Sequence, residues 1–128
     1  MRCFALLAIW LGLSVPVLAE SEKAYVQAWA TAHQGRVNVR LPDGTRCAVV
    51  TSTHAVEFAF GRKWQEAVGR ALYEASQLNK HPGIVLIMED SGDAVYRQRL
   101  DTTITVFNLP IDVWEVGAGA EKDAGAEK

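Results

Sequence analysis

The stretch RVNVRLPDGTRCAVVTSTHAVEFAFGRKWQEAVGRALYEASQLNKHPGIVLIM, residues 36–88, decides the fold, because its hydrophobic period changes twice. From Arg36 to Leu41 apolar and polar residues alternate, with Val37, Val39 and Leu41 on one face and Arg36, Asn38 and Arg40 on the other. This is the pattern of a half-buried strand. Pro42-Asp43-Gly44 follows as turn chemistry, since proline presets its φ, aspartate bonds nearby backbone and glycine takes unusual angles. A second strand over Arg46–Thr51 and a third over Ala55–Phe60 are joined by Ser52-Thr53-His54, a connection of hairpin length. On the third strand, period-two geometry puts Ala55, Glu57 and Ala59 on one side and turns Val56, Phe58 and Phe60 into the core.

After Gly61 the period becomes helical. Over Arg62–Asn79 the apolar stripe is Trp64, Ala67, Val68, Ala71, Leu72, Ala75 and Leu78, and Lys63, Glu66, Arg70 and Glu74 form a polar stripe expected to be solvated, with Glu66 and Arg70 spaced to pair. His81-Pro82-Gly83 punctuates the chain before Ile84-Val85-Leu86-Ile87-Met88, a continuous apolar run that suits a central strand buried on both faces. A helix between two strands implies a crossover and parallel pairing.

Working outward, Glu22–His33 reads as a first helix with Ala24, Tyr25, Ala28, Trp29 and Ala32 at helical spacing. Ala94–Phe107 reads as a later helix weakened by its threonines, and Ile111–Val116 as a last strand. The order is α-β-β-β-α-β-α-β, an α/β (α+β) domain with a mixed central sheet. Arg2, the apolar run Phe4–Leu13 and the small-residue ending Val17-Leu18-Ala19 have the make-up of a secretory signal peptide cut after Ala19. The domain plan is thus a signal over residues 1–19, one α/β domain over residues 20–116 and a disordered tail over residues 117–128, where Gly, Ala, Glu and Lys recur without apolar anchors. A periplasmic or secreted protein with no membrane anchor after cleavage is expected, because no other apolar run is long enough to span a bilayer.

The whole chain carries a formal charge of −2, which gives no sign of a nucleic-acid binder by itself. Its distribution is uneven: residues 36–80 are net +3 and residues 81–128 net −5. With Cys3 removed by processing, Cys47 has no disulfide partner within the chain, and a small buried hydrophobe is the simplest role for it. His33, His54 and His81 are far apart and lack the paired spacing of a structural zinc site.

The segments Leu41-Pro42-Asp43-Gly44-Thr45-Arg46, Ala55-Val56-Glu57-Phe58, Lys63-Trp64-Gln65-Glu66-Ala67-Val68-Gly69 and Pro82-Gly83-Ile84-Val85-Leu86-Ile87, in this element order, resemble the PD-(D/E)XK, or restriction-endonuclease-like, nuclease superfamily. The resemblance covers most of residues 35–88 and implies that superfamily's core. It also implies acids on the second and third strands and a lysine that together hold Mg²⁺ or Mn²⁺ and position a water for phosphodiester attack. Matched position by position, Glu57 is the third-strand acid. Ala59 stands where the lysine belongs, Ala48 where the second-strand acid belongs and Asn38 where a first-strand acid belongs.

The expectation is therefore a degenerate catalytic site, no resident cofactor, and a binding or structural module whose partner is a periplasmic protein or nucleic acid. Nucleic-acid contact would use Arg36, Arg40, Arg46 and Arg70, with Lys63. The alternative is a rearranged metal-dependent nuclease with Glu57 and Lys63 as catalytic residues and Glu57 and Asp43 as metal ligands. For Glu57 a plain structural role, pairing with Arg46, Lys63 or Arg70, is the third reading.

Overall fold

A computed structural model describes residues 21–120; the expected signal peptide and the tail beyond residue 120 lie outside the described residues. Five strands, β1 (Arg36–Arg40), β2 (Arg46–Val50), β3 (His54–Phe60), β4 (His81–Ile87) and β5 (Asp112–Val116), form one mixed sheet in the spatial order 1-2-3-4-5. The first three pair antiparallel as successive hairpins; β3, β4 and β5 are parallel. The two parallel steps are bridged by the helices α2 (Trp64–Leu78) and α3 (Ala94–Phe107), and α1 (Glu22–Ala32) precedes the sheet.

The apolar run of β4 lies at the centre, with Ile84, Val85, Leu86, Ile87 and Met88 all buried. Its alternate side chains serve two cores. Ile84, Leu86 and Met88 pack with Ala67 and Ala71 of α2 and Leu100 of α3, while Val85 packs with Val56, Phe58 and Trp29 of α1. The sheet is therefore covered by α2 and α3 on one face and by α1 on the other. A third cluster, Leu41, Cys47, Val50, Ala55 and Ala75, closes the α2 face toward β2.

Several local outcomes differ from the sequence reading. α1 buries Trp29 of the expected stripe together with Ala30, with Val26 packed alongside, and leaves Ala24, Ala28 and Ala32 exposed. β4 begins at His81, so His81-Pro82-Gly83 is strand and not punctuation. Pro82 pairs with Ala55 one residue before the β5 ladder opens at Gly83, a strand-start position where its missing N–H is tolerated. The α2 region opens with a 3₁₀ turn, Gly61–Lys63, before the α-helix proper. α3 holds despite its threonines because Leu100 and Ile104 pack into the core; Thr102 and Thr103 donate their hydroxyls back to the carbonyls of Gln98 and Arg99, both at 2.9 Å. The chain after β5 folds back, with the Gly119 N–H donating to the Met88 carbonyl at 2.8 Å, so the start of the expected disordered tail is anchored.

β1 is an edge strand, and its alternation is broken at Asn38, which has φ +52°. The β1–β2 ladder runs on both sides of that point but skips the Asn38–Ala48 pair, and Val37 is 40 % exposed. An asparagine tolerates the left-handed region better than most residues, which makes it a fitting residue for the break.

Gly83 shows how tightly β4 is fitted. A methyl group there would lie 2.8 Å from the Trp114 ring and 3.2 Å from Val56. Gly83→Ala is expected to lower stability by about 1–3 kcal/mol, the usual cost of overpacking a filled core, measured as a reduced urea midpoint with an unchanged slope.

Candidate functional site

The β2–β3 ladder is confined to Val49–Val56 and Val50–Ala55. Toward the start of β2 the strands part, and the gap opens as a cleft of about 390 Å³ lined by Asn38, Arg46, Ala48, Glu57 and Arg70, with Glu22 and Lys23 of α1 at its rim. A second cavity of about 210 Å³ shares Glu22, Glu57 and Arg70 and adds Lys63 and Glu66. The structure thus brings Asn38, Ala48 and Glu57, three positions matched to a nuclease site, to one cleft, and sets Lys63 beside Glu57 in the other.

Glu57 is only 5 % exposed and faces α2. Directly beneath it lies Glu74, 4 % exposed, and the two carboxyls share a hydrogen bond. Glu74 thereby departs from the expected solvated α2 stripe, whose other members, Lys63, Glu66 and Arg70, are exposed. Arg70 also departs from its expected pairing with Glu66: its Nη1 approaches Glu57 Oε1 at 3.5 Å. Of the three structural partners expected for Glu57, Arg70 is the one that pairs with it.

Two buried carboxyls in hydrogen-bond contact need a proton between them. Arg70 does not supply enough charge to keep both ionised, because its side chain is 64 % exposed. A solvent-screened pair of this kind is worth at most about 1 kcal/mol, whereas burying a carboxylate costs several. Burial is accordingly the leading cause of the shift at Glu57. The neighbouring Glu74 charge and its hydrogen bond add to it, Arg70 opposes it, and the carboxyl is pushed up to about 8. Glu74 is raised as well, chiefly by burial. Its Oε2 is buried with no hydrogen-bond partner among the described residues.

Cys47 completes the cluster. Its thiol is fully buried, donates to the carbonyls of Val49 at 3.3 Å and Val56 at 3.7 Å, and is pushed up to about 12 by burial and by the Glu74 charge. Such a thiol is a packed hydrophobe and not a nucleophile.

Asp43 sits elsewhere. Its Oδ1 accepts from the Thr45 N–H at 2.9 Å and the Thr45 hydroxyl at 2.6 Å, and the Tyr73 hydroxyl of α2 donates to Oδ2. The Thr45 hydroxyl bond is the first cause, and Tyr73 the second, of a carboxyl held down at about 2. Asp43 ties the β1–β2 turn to α2 and borders neither cavity that Glu57 borders. Of the basic residues, Arg46 and Arg70 line the cleft, while Arg36 and Arg40 lie exposed on edge strand β1. Arg46 is steered by its own Nη1, which donates to the Asn38 carbonyl at 3.0 Å.

These donors do not suit a hard divalent cation, which prefers several anionic oxygens. The cleft offers one strand carboxyl that shares a proton, beside a guanidinium, an amide and a methyl. Among the described residues no group of three or more His, Cys, Asp or Glu is set to hold a metal ion, and no helix is long and apolar enough to cross a membrane. Comparison with family models, curated proteins and solved structures gives no match.

The proton on Glu57 links stability to pH. An unfolded carboxyl releases it near 4.5 and the folded one near 8, so between those values the folded chain binds more protons than the unfolded one. Stability is therefore expected to fall as pH rises from about 4.5 to about 8 and to level off above. In Glu57→Gln the amide keeps the packing but does not titrate, and the difference between urea midpoints at about pH 5 and about pH 9 should shrink.

Proposed function

We propose that this chain is a secreted or periplasmic binding module on a restriction-endonuclease-like scaffold whose metal centre is lost, and that its ligand is anionic and enters the cleft between β2 and β3. The observation that carries this reading is the meeting of Asn38, Ala48 and Glu57 at one cleft, with a single carboxyl among them and that one hydrogen-bonded to Glu74. The hairpin–hairpin–crossover order of β1 to β4 agrees with such a scaffold.

At neutral pH Glu57 is mostly protonated, so the cleft's charge comes from Lys23, Arg46 and Arg70 against Glu22. That balance favours phosphate- or carboxylate-bearing ligands. If the ligand is a nucleic acid, Arg36, Arg40 and Lys63 extend the contact, and affinity falls steeply with salt as phosphate counterions are released. A periplasmic protein partner lacks that slope.

The second reading is a metal-dependent nuclease built on Glu57 and Lys63, and the observation favouring it is that both border the 210 Å³ cavity with Glu66. Calorimetric titration with Mn²⁺ and Mg²⁺, on the wild type and on Glu57→Gln, followed by incubation with single- and double-stranded DNA, separates the two. The binding module predicts no metal uptake that depends on Glu57 and no cleavage. Saturable uptake lost in Glu57→Gln, together with DNA cleavage, establishes the nuclease instead.

A further inference from the structure

His54 and His81, remote from one another in sequence, meet where β3 and β4 begin, beside the start of β5. His54 opens β3, lies in register with His81 of β4, and reaches Asp112 at the start of β5, with Nε2 2.6 Å from Oδ2. Its other ring nitrogen, Nδ1, is 2.7 Å from the Thr53 hydroxyl. Trp114 meets the ring edge-on at 5.3 Å, itself packed against Trp29, on which His33 stacks. The imidazole is thus walled in, with a side chain only 18 % exposed.

The tautomer that serves both contacts carries its proton on Nε2, donated to Asp112, and leaves Nδ1 to accept from the Thr53 hydroxyl. A hydroxyl on a base, and the base on an orienting carboxylate, is the arrangement that activates a nucleophile. The turn that presents Thr53 is fixed: the N–H groups of Thr53 and His54 donate to Thr51 Oγ1 at 3.3 and 3.0 Å, and Lys80 Nζ donates to the carbonyls of Thr51 and Ser52, both at 2.9 Å. Thr53, Lys80 and His81 border a cavity of about 370 Å³. An ammonium has three N–H donors, so Lys80 retains one beyond those two bonds, available to a developing oxyanion.

We propose that Thr53, His54 and Asp112 form a second site, an acyl-transfer centre acting on small carboxylic esters that enter the cavity beside Lys80. The Thr53 oxygen adds to the ester carbonyl carbon as its proton passes to His54 Nδ1. The bond to the alkoxy oxygen then breaks, and the imidazolium returns the proton to it, leaving Thr53 acylated and an alcohol released. Water, deprotonated by the same imidazole, displaces the acyl group as the free acid and restores the hydroxyl. Asp112 is a positioning residue throughout.

The test uses the full chain with p-nitrophenyl acetate, following nitrophenolate release and locating any acetyl group by peptide mass spectrometry. The expected result is an acetyl group on Thr53, absent in Thr53→Ala and retained in Thr53→Ser. Asp112→Asn should slow acylation by on the order of 10²-fold or more while leaving the ester concentration for half-saturation unchanged, a split that mere loosening of the turn would not produce. Thermal melting of each variant checks the fold, and if Asp112→Asn does not fold, the Thr53→Ala and Thr53→Ser pair decides. Acetylation confined to Lys80, His81 or other sites, or nitrophenolate release unaffected by Thr53→Ala, overturns the proposal. So does a folded Asp112→Asn that acylates at the wild-type rate.

Discussion

The whole arrangement depends on burying β4 from both sides. A strand whose residues from Ile84 to Met88 are all buried needs a neighbour on each edge and a layer on each face. Parallel neighbours require crossovers, and α2 and α3 supply them on one face, which leaves the other to α1. Each fully buried Leu, Ile or Val contributes roughly 1.5–3 kcal/mol, so this strand and its contacts outweigh any single surface interaction. Once α2 is pressed on the sheet by Ala67, Ala71 and Ala75, its register is set, and that register carries Glu74 beneath Glu57.

The small alanines of α2 let helix and sheet approach closely, so little water can reach the carboxyls between them. The same closeness explains Cys47, which fills the space beside Glu74 as a protonated thiol. On the far side of β3 no comparable constraint acts, because β2 leaves the ladder after two pairs and Asn38 breaks the edge strand. The cleft is what remains where β2 peels away. Its floor is buried and protonated, whereas its walls carry guanidinium groups open to solvent.

The core was legible in the sequence because its signals are local. The β4 run, the period of α2, the Pro42-Asp43-Gly44 turn and the inward face of Val56 and Phe58 each follow from spacing alone. Of the α1 stripe Trp29 is buried while Ala24, Ala28 and Ala32 are exposed, since alanines at helical spacing mark two faces of a short helix equally well. Glu57 stood out as the acid in an otherwise apolar strand. Glu74 did not, because a glutamate flanked by the polar residues of an amphipathic helix gives no sign that the sheet opposite carries another carboxyl. The histidines were invisible as a group for a similar reason: His54 and His81 meet through parallel register and Asp112 through a further crossover, none of which is encoded in their spacing.

With an amide at Asn38 and a methyl at Ala48, Glu57 is the one strand carboxyl at the cleft. A divalent cation balances several carboxylates at once, and with one strand carboxyl the charge must be balanced differently. Arg70 lies too far into solvent to do it, so a proton does, and the second acid that shares it comes from α2 and not from the sheet. Neutralising Glu57 in this way removes the negative charge that a metal would have needed and leaves Lys23, Arg46 and Arg70 dominant at the cleft mouth. On the proposed binding reading, the same residues that suit a metal poorly suit an anion. The balance changes with pH: above about 8 Glu57 ionises, and its negative charge offsets part of the guanidinium charge at the cleft.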